Sequence, residues 1–110
     1  MSKAASVLLI DGATATGAGT PVEPWEPNRT FQAYGETTAG AGAATIDVEV
    51  SNVKVPGDND WKALATLSLT LGVTRTSSIV AKNEGWRWVR GNVTAISGTG
   101  AKAYLAMGVC

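Results

Sequence analysis

The stretch GWRWVRGNVTAISGTGAKAYLAMGV, residues 85–109, decides how this chain is read. Two tryptophans and two arginines crowd the five positions from Trp86 to Arg90. They form either an aromatic and basic surface that holds something or the wall of a packed sheet. The pattern around Gly98-Thr99-Gly100 predicts a hairpin, because a three-residue loop often ends in the left-handed region, where glycine costs least. That register sets Ala95 opposite Ala103, Val93 opposite Leu105, Gly91 opposite Met107 and Val89 opposite Val109. Each of these residues is apolar or small, and Gly91 leaves room for Met107. The other face pairs Thr94 with Tyr104, Asn92 with Ala106 and Arg90 with Gly108. A shift of one residue mixes the faces, so the alternation specifies its register well.

Trp86 and Trp88 then share a face with Arg90, Asn92 and Thr94, opposite the face that builds the core. Burying an indole is worth roughly 1.5–3 kcal/mol or more, so two rings left bare in water call for a cover. The cover can be a proline-rich segment, another sheet or another subunit. A bulge before Val89 is the alternative geometry, and it turns one or both tryptophans into the core.

Elsewhere the same two-residue period recurs. In TIDVEVSNV, Ile46, Val48 and Val50 take one face against Asp47, Glu49 and Ser51 on the other, the mark of a half-buried strand. KALATLSLTLG sends Ala63, Ala65, Leu67, Leu69 and Leu71 inward. VPGDNDW between them carries turn chemistry at Pro56, Gly57 and Asp58, so these two strands are expected to form a hairpin with a long loop. TFQAYGE, SSIVAKN and the apolar start Val7–Ile10 read as further strands. That apolar run is too short for a secretory leader and Asp11 follows it at once. Residues 11–29 differ: Pro21, Pro24 and Pro27 surround Trp25 and exclude a central strand. They are expected to form an extended arm or connection, with Trp25 as its apolar anchor, folded onto its own domain or reaching a neighbour.

A chain of 110 residues suits one domain with a modest core. Nine basic and nine acidic residues balance to zero net charge, which argues against nucleic acid, where a basic excess is the rule. Histidine is absent, removing the commonest general base and zinc ligand. The single cysteine, Cys110, excludes an internal disulfide and reads as a free thiol. Asp58 and Asp60 have no further ligand spacing and read as turn formers rather than calcium ligands. No stretch approaches the roughly 20 apolar residues of a membrane span. Two glycosylation sequons, at Asn28 and Asn92, read as chance. No catalytic residue, cofactor or metal site is expected, and the chain reads as soluble and non-enzymatic.

The order IDVEVSN, DW, TLSLTLG and GWRWVRGNVTAISGTGA with YLAMGV, from about Phe31 to Val109, resembles small β-sandwich virion proteins of tailed double-stranded DNA bacteriophages, and among them capsid decoration or cement proteins. The resemblance implies a protein made in the host cytoplasm that sits on the virion capsid surface, binds the major capsid protein, and acts as a homo-oligomer without nucleic acid or membrane. It carries no catalytic residues. The fold expected is an all-β, antiparallel, jelly-roll-like sandwich of about six to eight strands. Trp25, Trp86, Trp88 and Arg90 are the candidate protein-interface residues, since Trp and Arg are enriched at interface hot spots. The alternative is a carbohydrate- or receptor-binding module of a phage tail or fibre, stacking ligand on Trp86, Trp88 and Tyr104.

Overall fold

The computed structural model describes residues 5–24, 26 and 28–109. Within them run β1 (Ala5–Ala13), β2 (Gly17–Ala18), β3 (Arg29–Glu36), β4 (Ala39–Ser51), β5 (Lys62–Leu71), β6 (Thr76–Lys82), β7 (Trp88–Thr99) and β8 (Lys102–Val109), with a short 3-10 turn at Asp58–Asp60. Two four-stranded sheets result, ordered β1-β8-β3-β6 and β2-β7-β4-β5. The pairings show how the chain is wound. β4 pairs β5, β3 pairs β6, β2 pairs β7 and β1 pairs β8, all antiparallel. Each strand therefore meets its mirror image about the β4–β5 connection, and successive pairs alternate between the sheets. A long hairpin rolled about a core gives this order, and β3–β8 and β4–β7 pairing closes the roll. The protein is an all-β jelly roll.

Alternation decides which side chains fill it. Phe31 and Ala33 of β3, Ile46, Val48 and Val50 of β4, and Leu67, Leu69 and Leu71 of β5 are all buried. Val89 and Val93 of β7 face Leu105, Met107 and Val109 of β8 within the same core cluster. The inward faces expected of the final 25-residue stretch are thus observed for Val89, Gly91, Val93, Ala103, Leu105, Met107 and Val109 but not for Ala95, and its hairpin is not observed. β7 and β8 lie in different sheets, and the chain crosses the sandwich by way of Gly98, near the end of β7 at φ 116°, and Gly100, in the turn at φ 63°. Alternation fixes the face of a residue and says nothing about its lateral neighbour, so hairpin and crossover bury the same residues. Gly91 accordingly makes room for Ile10 and Leu105 across the core: a Cβ there falls 2.7 Å from Ile10 Cγ1 and 2.9 Å from Leu105 Cδ2.

Two bulges correct the remaining faces. Thr45 pairs Ala95 but Ile46 pairs Val93, leaving Thr94 as the extra residue. Ala95 is therefore exposed, and Ile96 packs against the core in its place. In β5, Val48 pairs Ala65 while Glu49 pairs Ala63, which turns Ala63 outward and Leu64 toward the core.

The connection expected over residues 11–29 is shorter, since its ends belong to β1 and β3, and residues 17–22 of it lie along β7. Asp11–Ala13 still belong to β1, and Gly17–Ala18 pair with Val93 and Asn92. Val22 exchanges both backbone hydrogen bonds with Val89, at 2.8 and 2.9 Å. Pro21 and Pro24 are tolerated because this is the edge of the sheet. Trp25, Pro27 and Cys110 lie outside the described residues.

On the outer face of the first sheet, Tyr34 and Tyr104 stack with centroids 4.9 Å apart, and the Arg75 guanidinium lies 5.0 Å and 5.7 Å from their ring centres. Arg75 Nε donates to Glu36 Oε2 at 3.0 Å. That hydrogen bond, helped by the positive charges of Arg75 and Lys102 and opposed by desolvation, holds the Glu36 carboxyl below its usual 4.5. A lowered folded-state value means the pair contributes stability above the unfolded pKa and loses it as pH falls through the folded one. Melting temperatures of the wild type and Glu36→Gln are therefore expected to differ slightly at neutral pH and converge below pH 4.5; curves that stay parallel to pH 2 or so contradict the assignment.

Candidate functional site

Jelly-roll winding sends alternate connections to the same end. Here the three long ones, 19–28 in its described residues, 52–61 and 83–87, meet beside the start of β7. Glu23 from the first lies 3.5 Å from Arg87 of the third. Asn52 Oδ1 from the second accepts from the Arg87 backbone N–H at 2.8 Å. These contacts draw an arginine and three described tryptophans, Trp61, Trp86 and Trp88, toward one end of the sandwich.

The register of β4 on β7 builds the centre of the cluster. Glu49 stands opposite Arg90, Asp47 opposite Asn92 and Ser51 opposite Trp88. Arg90 Nε donates to Glu49 Oε1 at 2.7 Å and Asn92 Nδ2 to Glu49 Oε2 at 3.2 Å. Only 15 % of the Arg90 side chain and 13 % of the Glu49 side chain remain exposed. Arg90 is also capped: its guanidinium carbon sits 4.4 Å from the centre of the Trp61 ring. Trp61 is held there by the turn before it, where Gly57 N–H donates to Asp60 Oδ2 at 2.8 Å and Asp60 N–H to Gly57 O at 3.1 Å. Asp60 thus serves the turn. Among the described residues no group of three or more metal-ligating side chains occurs.

The candidate interface residues separate on inspection. Trp88 and Arg90 lie, as expected, on the outer face of their sheet, each half-buried. Arg87 lies over Trp88 at 5.7 Å, and the Trp88 indole N–H is buried without an acceptor among the described residues. Trp86 does not share that face. β7 begins only at Trp88, and the irregular backbone before it lets Trp86 pack against the rim of the core while its N–H donates to Glu84 at 3.2 Å. The alternative geometry, an irregularity before Val89, therefore holds for one indole and not the other. Tyr104 belongs to the opposite sheet, stacked on Tyr34, so Trp86, Trp88 and Tyr104 form no common stacking surface.

Sequence reasoning missed the partners of Arg90. Alternation alone puts Glu49 on the polar face of its strand and Trp61 at the end of a turn; the β4–β7 pairing that brings Glu49 to Arg90 joins residues 41 apart in the chain. It also missed Arg29, which points inward at this end with 4 % exposure. Its Nε donates to Glu26 O at 2.9 Å, its Nη1 has no partner among the described residues, and burial lowers its pKa from the ordinary guanidinium value. Val53 and Val55, 43 % and 81 % exposed on the 52–61 connection, carried no signal at all.

No family model matches this chain, and no curated protein or solved structure does either. The assembled end presents guanidinium and amide donors, aromatic faces and bare methyl groups on loops tied to one another. Such groups suit recognition of another macromolecular surface. No described helix is long and apolar enough to cross a membrane.

Proposed function

We propose that this protein is a non-enzymatic structural virion protein, a decoration or cement protein that sits on the head of a tailed double-stranded DNA phage and bridges its major capsid subunits. The carrying observation is the loop end of the jelly roll, where Val53 and Val55 stand exposed on a connection pinned at Asn52 to Arg87, next to the Arg87–Trp88 pair. Apolar groups held out on anchored loops cost solvation in the free protein and little ordering on binding, which favours a docking role. Arg and Trp beside them are the residue types that dominate contact energies. The phage assignment is supported by the likeness of the 31–109 stretch to small virion sandwiches, and zero net charge is compatible with dense packing on a lattice. Binding the assembled shell in preference to free subunits stabilises it by mass action.

Co-sedimentation with undecorated phage shells tests this. The wild-type chain is expected in the pellet at saturating stoichiometry. Val55→Asp and Arg87→Ala are each expected to weaken shell binding about tenfold, or roughly 1.4 kcal/mol, with melting temperature unchanged. Failure of the wild type to pellet, or loop variants that bind as well as it does, removes the assignment.

A further inference from the structure

We propose that β6 is a dimerisation edge, pairing antiparallel with β6 of a second copy of this chain about a two-fold axis through Ile79. The proposal starts from how the four sheet edges are finished. An open edge offers unpaired N–H and C=O groups, and proteins blunt such edges with bulges, charges, proline or brevity. β1 has register shifts between Leu8 and Ile10 and between Ile10 and Ala13, and Gly12 within it has a φ of 72°. β2 is two residues long. β5 opens with Lys62 and is bulged at Leu64. β6 shares only a terminal lysine, Lys82, with β5, and has no bulge, no proline and seven residues of length. Its register on β3 runs unbroken from Thr76 to Lys82, and the six residues before that lysine, TSSIVA, carry no charge. An edge in that condition accepts only one kind of occupant, an extended backbone.

The sequence of the edge identifies the strand that fits. Centred on Ile79, the antiparallel pairing sets Ser78 against Val80 of the second copy, Ser77 against Ala81 and Thr76 against Lys82. No like charges oppose one another, a condition that costs nothing in a self-pair. Ile79, 75 % exposed in the monomer, meets its own equivalent across the axis, so a single apolar residue is used twice, as a two-fold interface requires. The outer face continues the match. Leu8 stands opposite Ala106, Ala106 opposite Gln32 and Gln32 opposite Ile79, one row running from an exposed leucine to an exposed isoleucine. Pairing at β6 joins two such rows into one across an eight-stranded sheet. This inference does not depend on the capsid assignment.

The test uses the full chain carrying Cys110→Ala, so that the terminal thiol cannot link copies. Light scattering during size exclusion at about 100 µM, well above a micromolar dissociation constant, is expected to give twice the 11.3 kDa chain mass. Ile79→Lys is expected to raise the dissociation constant at least tenfold with the far-UV spectrum unchanged. Ile79→Cys in the same background is expected to form a disulfide-linked dimer on mild oxidation, since directly opposed residues lie about 4.5–5.5 Å apart, within disulfide reach. A monomer at that concentration, a dimer indifferent to Ile79→Lys, or a dimer that never cross-links at position 79 overturns the proposal. Shell co-sedimentation has no part in these measurements, so the two assignments stand or fall separately.

Discussion

Phe31→Ala is expected to destabilise the fold by about 3–5 kcal/mol and to lower its melting temperature by about 12–20 °C. Phe31 is the only phenylalanine in the chain and is 1 % exposed. It occupies an interior strand, with Val80 beside it on β6 and Met107 beside it on β8. The Cα trace is only 17 Å across its thinnest axis, so a single layer of side chains separates the sheets. No second layer exists to relax into the space a phenyl ring vacates, and the hydrogen-bonded neighbours on both sides hold the backbone in place. A loss of this size is a large share of the about 5–15 kcal/mol that small domains possess. Ile79→Ala supplies the contrast: the side chain is 75 % exposed, and in dilute monomer its removal is expected to change stability by less than about 0.5 kcal/mol. Thermal and urea unfolding followed by circular dichroism measure both. A Phe31→Ala cost below about 1 kcal/mol contradicts the core described here.

The contrast between these two residues also marks how far the sequence could be read. Phe31 and Ile79 each sit in a short alternating strand, and alternation correctly separated the faces of β3, β4 and most of β5, β7 and β8. It succeeded because burial demands a two-residue period irrespective of topology. It failed where topology alone decides. The pattern around Gly98–Gly100 predicts one hairpin holding Val93 and Leu105, yet they come from facing sheets and meet across the core; the same inward apolar set serves both arrangements. The bulges at Thr94 and Leu64 left no trace in residue type, and each moved one small alanine out and a larger aliphatic in. Trp86 illustrates the cost of extending a strand too far: two residues before the first strand position, its direction is set by irregular backbone and not by the pleat. The site was legible in part. Trp88 and Arg90 were placed on the right face because both lie inside β7. Glu49 and Trp61, which fix Arg90 in position, come from distant segments that only the rolled hairpin brings together.

Those two partners make Arg90 the most informative charged residue in the protein. Glu49→Ala is expected to cost about 2–3 kcal/mol, below the 3–5 typical of breaking a fully buried ion pair, because both side chains keep some contact with water. The loss exceeds that of an exposed pair for a geometric reason. Trp61 covers one side of the guanidinium at 4.4 Å and only 15 % of the Arg90 side chain is exposed, so little water reaches Arg90 in place of the lost carboxylate. Asn92 loses its acceptor at the same time. Arg90→Ala removes the charge itself and is expected to cost less, about 1–2 kcal/mol, mainly the cation–π contact and the unpaired Glu49 that remains. The double variant is expected to be less damaging than the sum of the single ones by about 1–2 kcal/mol, since neither charge is then stranded. Tryptophan emission should shift in both Arg90 variants and report the release of Trp61. Additive losses in this double-mutant cycle mean that the 2.7 Å contact contributes nothing in solution. The loops that Arg90, Glu49 and Trp61 brace are then not held in place by this cluster, and the exposed valines beside them lose the anchoring on which a docking role depends.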